Sequence, residues 1–191
     1  MIPSNPSHLS EIFALESAED WKNVFTYYES LYFTAKTNEI AIHFAFFCWY
    51  LLWQWDEICF PGEESLSPYE RSDADTRNGI SKSKLFSDLD SSTEYLLTSW
   101  ESTPKKYLVV LSHMRKIYPY FFREETFPEM LAQQLLDFIA KKPFDELGVK
   151  IIYNYIQTQD STHLTTNERT AICKLFPNNS LIQSYFTWLF S

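Results

Sequence analysis

Four histidines, three cysteines and 25 carboxylates are the groups in this 191-residue chain with obvious chemistry, so their spacing comes first. His8, His43, His113 and His163 lie on four separate segments, with no HExxH, HxH or other close metal-ligand pattern. The sequence therefore calls for no metal and no cofactor. Ser112 and His113 are adjacent. Neighbouring side chains on a helix point about 100° apart, so these two do not make a nucleophile–base pair alone. No GxSxG or P-loop pattern occurs, and three glycines are too few for a Gly-rich phosphate loop. No basic residue stands near Cys59 to activate its thiol. Cys48 and Cys173 sit in apolar helical contexts, where a thiol acts as a small hydrophobe. These absences argue against an enzyme.

Carboxylate pairs are common: Asp56-Glu57, Glu63-Glu64, Asp73 with Asp75, Asp88 with Asp90, Glu124-Glu125. Adjacent acids are usually solvated, whereas acid–base work needs two carboxylates in different environments. Asp88-Leu89-Asp90 opens no calcium loop, because the glycine and final glutamate of that loop are missing.

Two constellations stand out. The first is acidic. Between Asp56 and Asp75 seven acids face a single Arg71, with Phe60, Leu66 and Tyr69 interleaved. Charge speeds encounter with a basic surface and an aromatic anchors it. Asp56, Glu57, Glu63, Glu64, Tyr69, Glu70, Asp73 and Asp75 are the expected partner-binding set. The second is a thin polar line on the most apolar stretch, Thr37–Glu57. At about 100° per residue, Glu39, His43, Tyr50, Gln54 and Glu57 fall within about 60° of one another. The line is either a narrow solvent seam, the simpler reading, or a buried network around a pocket.

The net charge of −9 is unevenly spread: −10 over residues 1–100 and +1 over 101–191. Nucleic-acid binding needs clustered Lys and Arg, which this chain lacks, while a basic protein partner suits it. The odd cysteine count without CxxC spacing, and an opening MIPSNPSHLS with neither basic nor apolar leader character, point to a cytoplasmic protein with reduced thiols.

The elements that position these groups read as helices. Sixteen residues separate Glu39 from Asp56, roughly 24 Å of helix, short of the about 30 Å of a bilayer core. Both ends are acidic and lack the basic flank of a membrane span. This is a core helix, apolar almost all round. Before it, Ser7–Leu15 and Ala18–Phe33 carry apolar residues at 3–4 spacing, with Ser17 and Asp20 as a capping box. Residues 59–81 show no apolar periodicity and read as a polar acidic loop. Ser81 or Ser83 starts the next helix, with Ser91-Ser92 as a break. Thr103-Pro104, Thr126 to Glu129, Pro143 and Thr165 to Glu168 start four more, and Ser180–Phe190 forms the last. Gly148 weakens its helix slightly. The expected fold is all-α: one domain over 1–191, a bundle or short array of stacked hairpins of about eight helices around the 37–57 helix.

The expected function is a non-enzymatic protein-binding module, an inhibitor or immunity-type protein with an acidic surface for a basic partner. The alternative is a small-molecule binder or metal-assisted enzyme with its pocket along Glu39, His43, Tyr50, Gln54 and Glu57.

Overall fold

The computed structural model describes residues 7–58, 76–77, 80–141, 143–160 and 164–191, with backbone alone at 7, 8, 55–58, 76 and 77. Nine α-helices run through the described residues: α1 (Ser7–Ser17), α2 (Trp21–Thr34), α3 (Asn38–Ile58), α4 (Lys82–Thr98), α5 (Lys105–Ile117), α6 (Glu129–Lys141), α7 (Leu147–Thr158), α8 (Thr166–Cys173) and α9 (Leu181–Leu189). A two-residue ribbon, Thr76–Arg77 against Ile80–Ser81, precedes α4 at the end of the expected loop. The fold is an all-α array.

Local chemistry explains four helix starts. Thr37 caps α3 by accepting from the Ile40 N–H at 3.2 Å. Ser81 caps α4, accepting from Lys84 N. Thr165 and Glu168 form the expected capping box on α8. Ser180 caps α9, accepting from Gln183 N.

Some starts and stops differ from expectation. Ser17 stays inside α1, its hydroxyl donating to Phe13 O, and Asp20 is the N-cap of α2 without a side-chain cap bond. Glu19 turns the corner in the left-handed region, φ 55. Ser91-Ser92 does not break α4: the Ser92 hydroxyl bonds the Asp88 carbonyl one turn back, and Tyr32 donates to Ser91 O. Pro104, not Thr103, is the N-cap of α5, and α7 begins after Glu146 rather than at Pro143. Gly148 does more than weaken a helix. A Cβ there would stand 2.9 Å from the Ala171 carbonyl oxygen of α8, so α7 and α8 approach through this position.

α3 is the hub. It packs most extensively on α4 and also touches α2, α5 and α9. Every residue from Ile40 to Trp49 is buried. Phe44 and Phe47 meet Phe25 and Tyr28 of α2, and Phe46 meets Tyr185 and Phe186 of α9. These rings supply much of the apolar area that drives folding. The other helices pack pairwise along the chain: α1 on α2, α5 on α6 and α7, α7 on α8, α8 on α9. The array closes through one buried carboxylate. Glu16 of α1 accepts from the Tyr28 hydroxyl at 2.8 Å and from the Leu181 N–H, at the start of α9, at 2.7 Å. No helix among the described residues is long and apolar enough to cross a membrane.

Candidate functional site

The C-terminal half of α3 ends in a cluster of large rings. Trp49 and Trp53 stack one turn apart, with centroids 6.2 Å apart. Tyr118, at the end of α5, lies 5.8 Å from Trp49 and 6.5 Å from Trp53. From α9, Tyr185 meets Trp49 at 5.6 Å and Trp188 meets Trp53 at 6.2 Å. The cluster runs out to the surface in two places: Tyr120, edge-on to Tyr118, is 63% exposed, and Trp188 is 62% exposed. Isolated exposed hydrophobes are ordinary; two exposed aromatics rooted in one buried cluster resemble interface anchors. The indole N–H groups of Trp49 and Trp53 are buried without a partner among the described residues.

A buried arginine builds the ridge that carries Tyr120. Pro119 ends α5 and opens a 3-10 turn, Pro119–Phe121. Arg115, in the last turn of α5, reaches under it. Its Nε donates to Phe127 O at 3.0 Å, one Nη donates to Pro119 O at 2.8 Å, and the other pairs with the Glu124 carboxylate. Burying a guanidinium is tolerable only when its donors are satisfied in this way. Two clefts flank the ridge. One, of about 370 Å³, lies toward α6 and is lined by Ser112, Arg115, Lys116, Glu124, Glu129 and Gln133, with Pro119, Ala132 and Leu136. The other, of about 310 Å³, lies toward α4 and is lined by Phe86, Asp90, Tyr120, Phe121, Phe122 and Arg123.

The acidic set begins at this end of the molecule. Asp56 and Glu57 occupy the last turn of α3, one turn after Trp53, with their side chains outside the described residues. Glu63, Glu64, Tyr69, Glu70, Asp73 and Asp75 lie outside the described residues altogether.

The polar line of α3 is divided among partners rather than gathered on a cleft. Glu39 is half-buried, and burial, together with that nearby carboxylate, pushes the Tyr107 pKa up. His43 is 1% exposed, under Phe13 at 4.9 Å, and neither ring nitrogen has a partner among the described residues. Burial, with the positive charge of Lys106, pushes its pKa down to about 3, so it is neutral. Tyr50 and Gln54 are half-buried and bonded to each other at 2.5 Å, beside Trp21. At His43 the line is therefore no solvent seam, because α1 covers it. Glu57 has an undescribed side chain. Neither cleft beside the ridge includes a member of the line.

The remaining titratable groups sit apart. The Nε2 of His113 is 2.9 Å from the Tyr185 hydroxyl, in a nest of Trp49, Tyr155 and Phe186; burial lowers its pKa to about 3. The Ser112 hydroxyl is buried without a partner among the described residues and lines the cleft toward α6. Lys84 joins Glu29 and Asp88, each at 2.8 Å. No three His, Cys, Asp or Glu side chains among the described residues are grouped to hold a metal.

Two buried charged residues that shape the fold, Glu16 and Arg115, carry no motif in the sequence. Glu16 follows Leu9, Ile12 and Phe13 on the apolar side of α1, at positions i, i+3, i+4 and i+7, and that in-line acid was the available signal. Arg115 stands one turn after the buried Leu111 on α5, and that spacing is the signal for its inward-facing side chain. Comparison with protein-family models, curated protein sequences and solved structures gave no match.

Proposed function

We propose that this protein is a non-enzymatic protein-binding module whose acidic segment, Asp56 to Asp75, engages a basic protein partner in the manner of an inhibitor or immunity-type protein. One observation carries the reading. The segment leaves α3 one turn after Trp53, at the end of the molecule where Trp188 and Tyr120 are exposed. Acids and exposed aromatics on one protein offer a basic partner both charge steering and anchors that become buried on binding. The −10 charge of the first hundred residues supports the same partner chemistry. Capture from the native host, using the full chain as bait, should recover a basic protein, more weakly at high salt. Reversing Glu63, Glu64, Asp73 and Asp75 to lysine should abolish capture; undiminished capture would contradict the proposal.

A second reading, a small-molecule or metal site along Glu39, His43, Tyr50, Gln54 and Glu57, draws on the two unpartnered ring nitrogens of His43. Metal analysis of the purified protein, and a zinc titration followed at His43 by NMR, test it. Unchanged His43 signals would contradict it.

A further inference from the structure

Beside the ridge, Asp90 and Arg123 form an ion pair that uses only half of the carboxylate. The Arg123 Nε lies 2.7 Å from Asp90 Oδ2, whereas Oδ1 is buried with no partner among the described residues. A carboxylate can accept a two-pronged guanidinium on both oxygens, and an unmet buried oxygen is costly. Arg123, approaching through Nε, leaves that second contact unmade. Its side chain is 69% exposed, so water competes for the guanidinium, while the Asp90 side chain is only 14% exposed. The Arg123 backbone is fixed independently, because its carbonyl accepts from Thr126 N at 3.1 Å and Phe127 N at 2.9 Å. The side chain can therefore swing away while the ridge stays in place.

The surroundings suit a cation. The cleft of about 310 Å³ is walled by Phe86, Tyr120 and Phe121, with Phe86 edge-on to Phe121 at 5.9 Å and Tyr120 edge-on to Phe121 at 4.7 Å. Guanidinium planes stack on aromatic faces as well as pairing with carboxylates. We infer that this cleft is a socket for an arginine side chain of the basic partner, with Arg123 as an exchangeable internal occupant of Asp90. The incoming guanidinium pairs with both Asp90 oxygens and lies against Tyr120, displacing Arg123 into solvent. This rests on the basic-partner reading and gives that partner a specific contact outside the acidic segment.

The test uses the full-length protein, isotopically labelled, titrated with Nα-acetyl-L-arginine amide and followed by NMR at the backbone amides of Phe86, Tyr120 and Phe121. Saturable shifts are expected at roughly millimolar probe. The uncharged Nα-acetyl-L-citrulline amide should leave these signals in place. Asp90→Asn should weaken binding by about tenfold or more, the loss of a charge-assisted pair. Arg123→Gln removes the internal competitor and should tighten binding several-fold. A merely structural Asp90–Arg123 pair would not give that gain. No saturable shift with the arginine probe, equal shifts with citrulline, or unchanged or weaker binding in Arg123→Gln overturns the socket. The basic-partner reading fails by a different result, undiminished capture after reversal of the acidic segment, so the two failures are distinguishable.

Discussion

The two ends of α3 use similar residues to opposite effect. At the N-terminal end Glu39 is matched by Tyr107, and His43 is sealed beneath Phe13. At the C-terminal end Tyr50, Trp53 and Gln54 are half-buried, and the rings packed on them lead out to exposed Trp188 and Tyr120. The difference lies in what packs around each end. Phe13 of α1 covers His43 in the first half of α3, whereas the second half meets Tyr118 at the end of α5 and the exposed Trp188 of α9. A polar group at the sealed end serves the fold or is an uncompensated cost to it. An aromatic at the open end has surface left for a partner.

The largest effect should come from the shared core. Trp49→Ala removes a fully buried ring from the Trp53, Tyr118 and Tyr185 cluster and should lower unfolding free energy by about 3–5 kcal/mol. A loss below about 1 kcal/mol in denaturant titration would mean that the open end is not rooted in the core.

The buried titratable groups predict an acid response. His43 and His113 have folded pKa values near 3, below the ordinary 6.5, so the unfolded chain takes up their protons first. Each therefore removes about 1.4 kcal/mol per pH unit as the pH falls below 6.5. Glu16 acts the other way. Burial raises its pKa from 4.5 to about 7, against the two hydrogen bonds that lower it, so its contribution is full below pH 4.5 and is lost as the pH rises toward 7. Between pH 4.5 and 6.5 the two histidines outweigh the one acid, and stability should fall with acid. His43→Leu should nearly flatten that profile, and Glu16→Gln should steepen it. Unfolding midpoints across this pH range decide both.

A smaller effect separates a sealed polar group from a working one. His43 has no partner for either nitrogen among the described residues, so His43→Leu should stabilise the protein at pH 7 by about 1–3 kcal/mol. Destabilisation would show that the ring is satisfied and that the sealed end carries a polar function. The smallest stability effects belong to the open end. Tyr120→Ala and Trp188→Ala should each cost under about 1 kcal/mol of unfolding free energy, since both side chains are mostly exposed. A larger cost for either would make it a core residue and not an anchor.

The contrast between the ends was only partly legible in the sequence. Helical periodicity and caps such as Thr37, Thr165 and Ser180 revealed the all-α array, because they depend on neighbours within one turn. The thin polar line was also visible. Its division was not, because Tyr107 and Phe13, which take up Glu39 and cover His43, come from distant parts of the chain. Ser91-Ser92 looked like a break because serine competes for backbone hydrogen bonds, yet packing on α3 keeps α4 continuous. In sequence Asp90 is one of several closely spaced acids, and nothing near Arg115 or Arg123 in the chain marks their partners. Only the folding of the Pro119–Phe121 turn back over α5 gives them partners.

The central claim is that the end of α3 bearing Trp188 and Tyr120 is the partner-binding end. The most direct measurement is the affinity of the captured basic partner for the wild type and for a Tyr120→Ala/Trp188→Ala variant, at low salt and with folding verified by circular dichroism. A folded double variant that binds at least about tenfold more weakly is the predicted result. Equal affinity for the two proteins would contradict the claim.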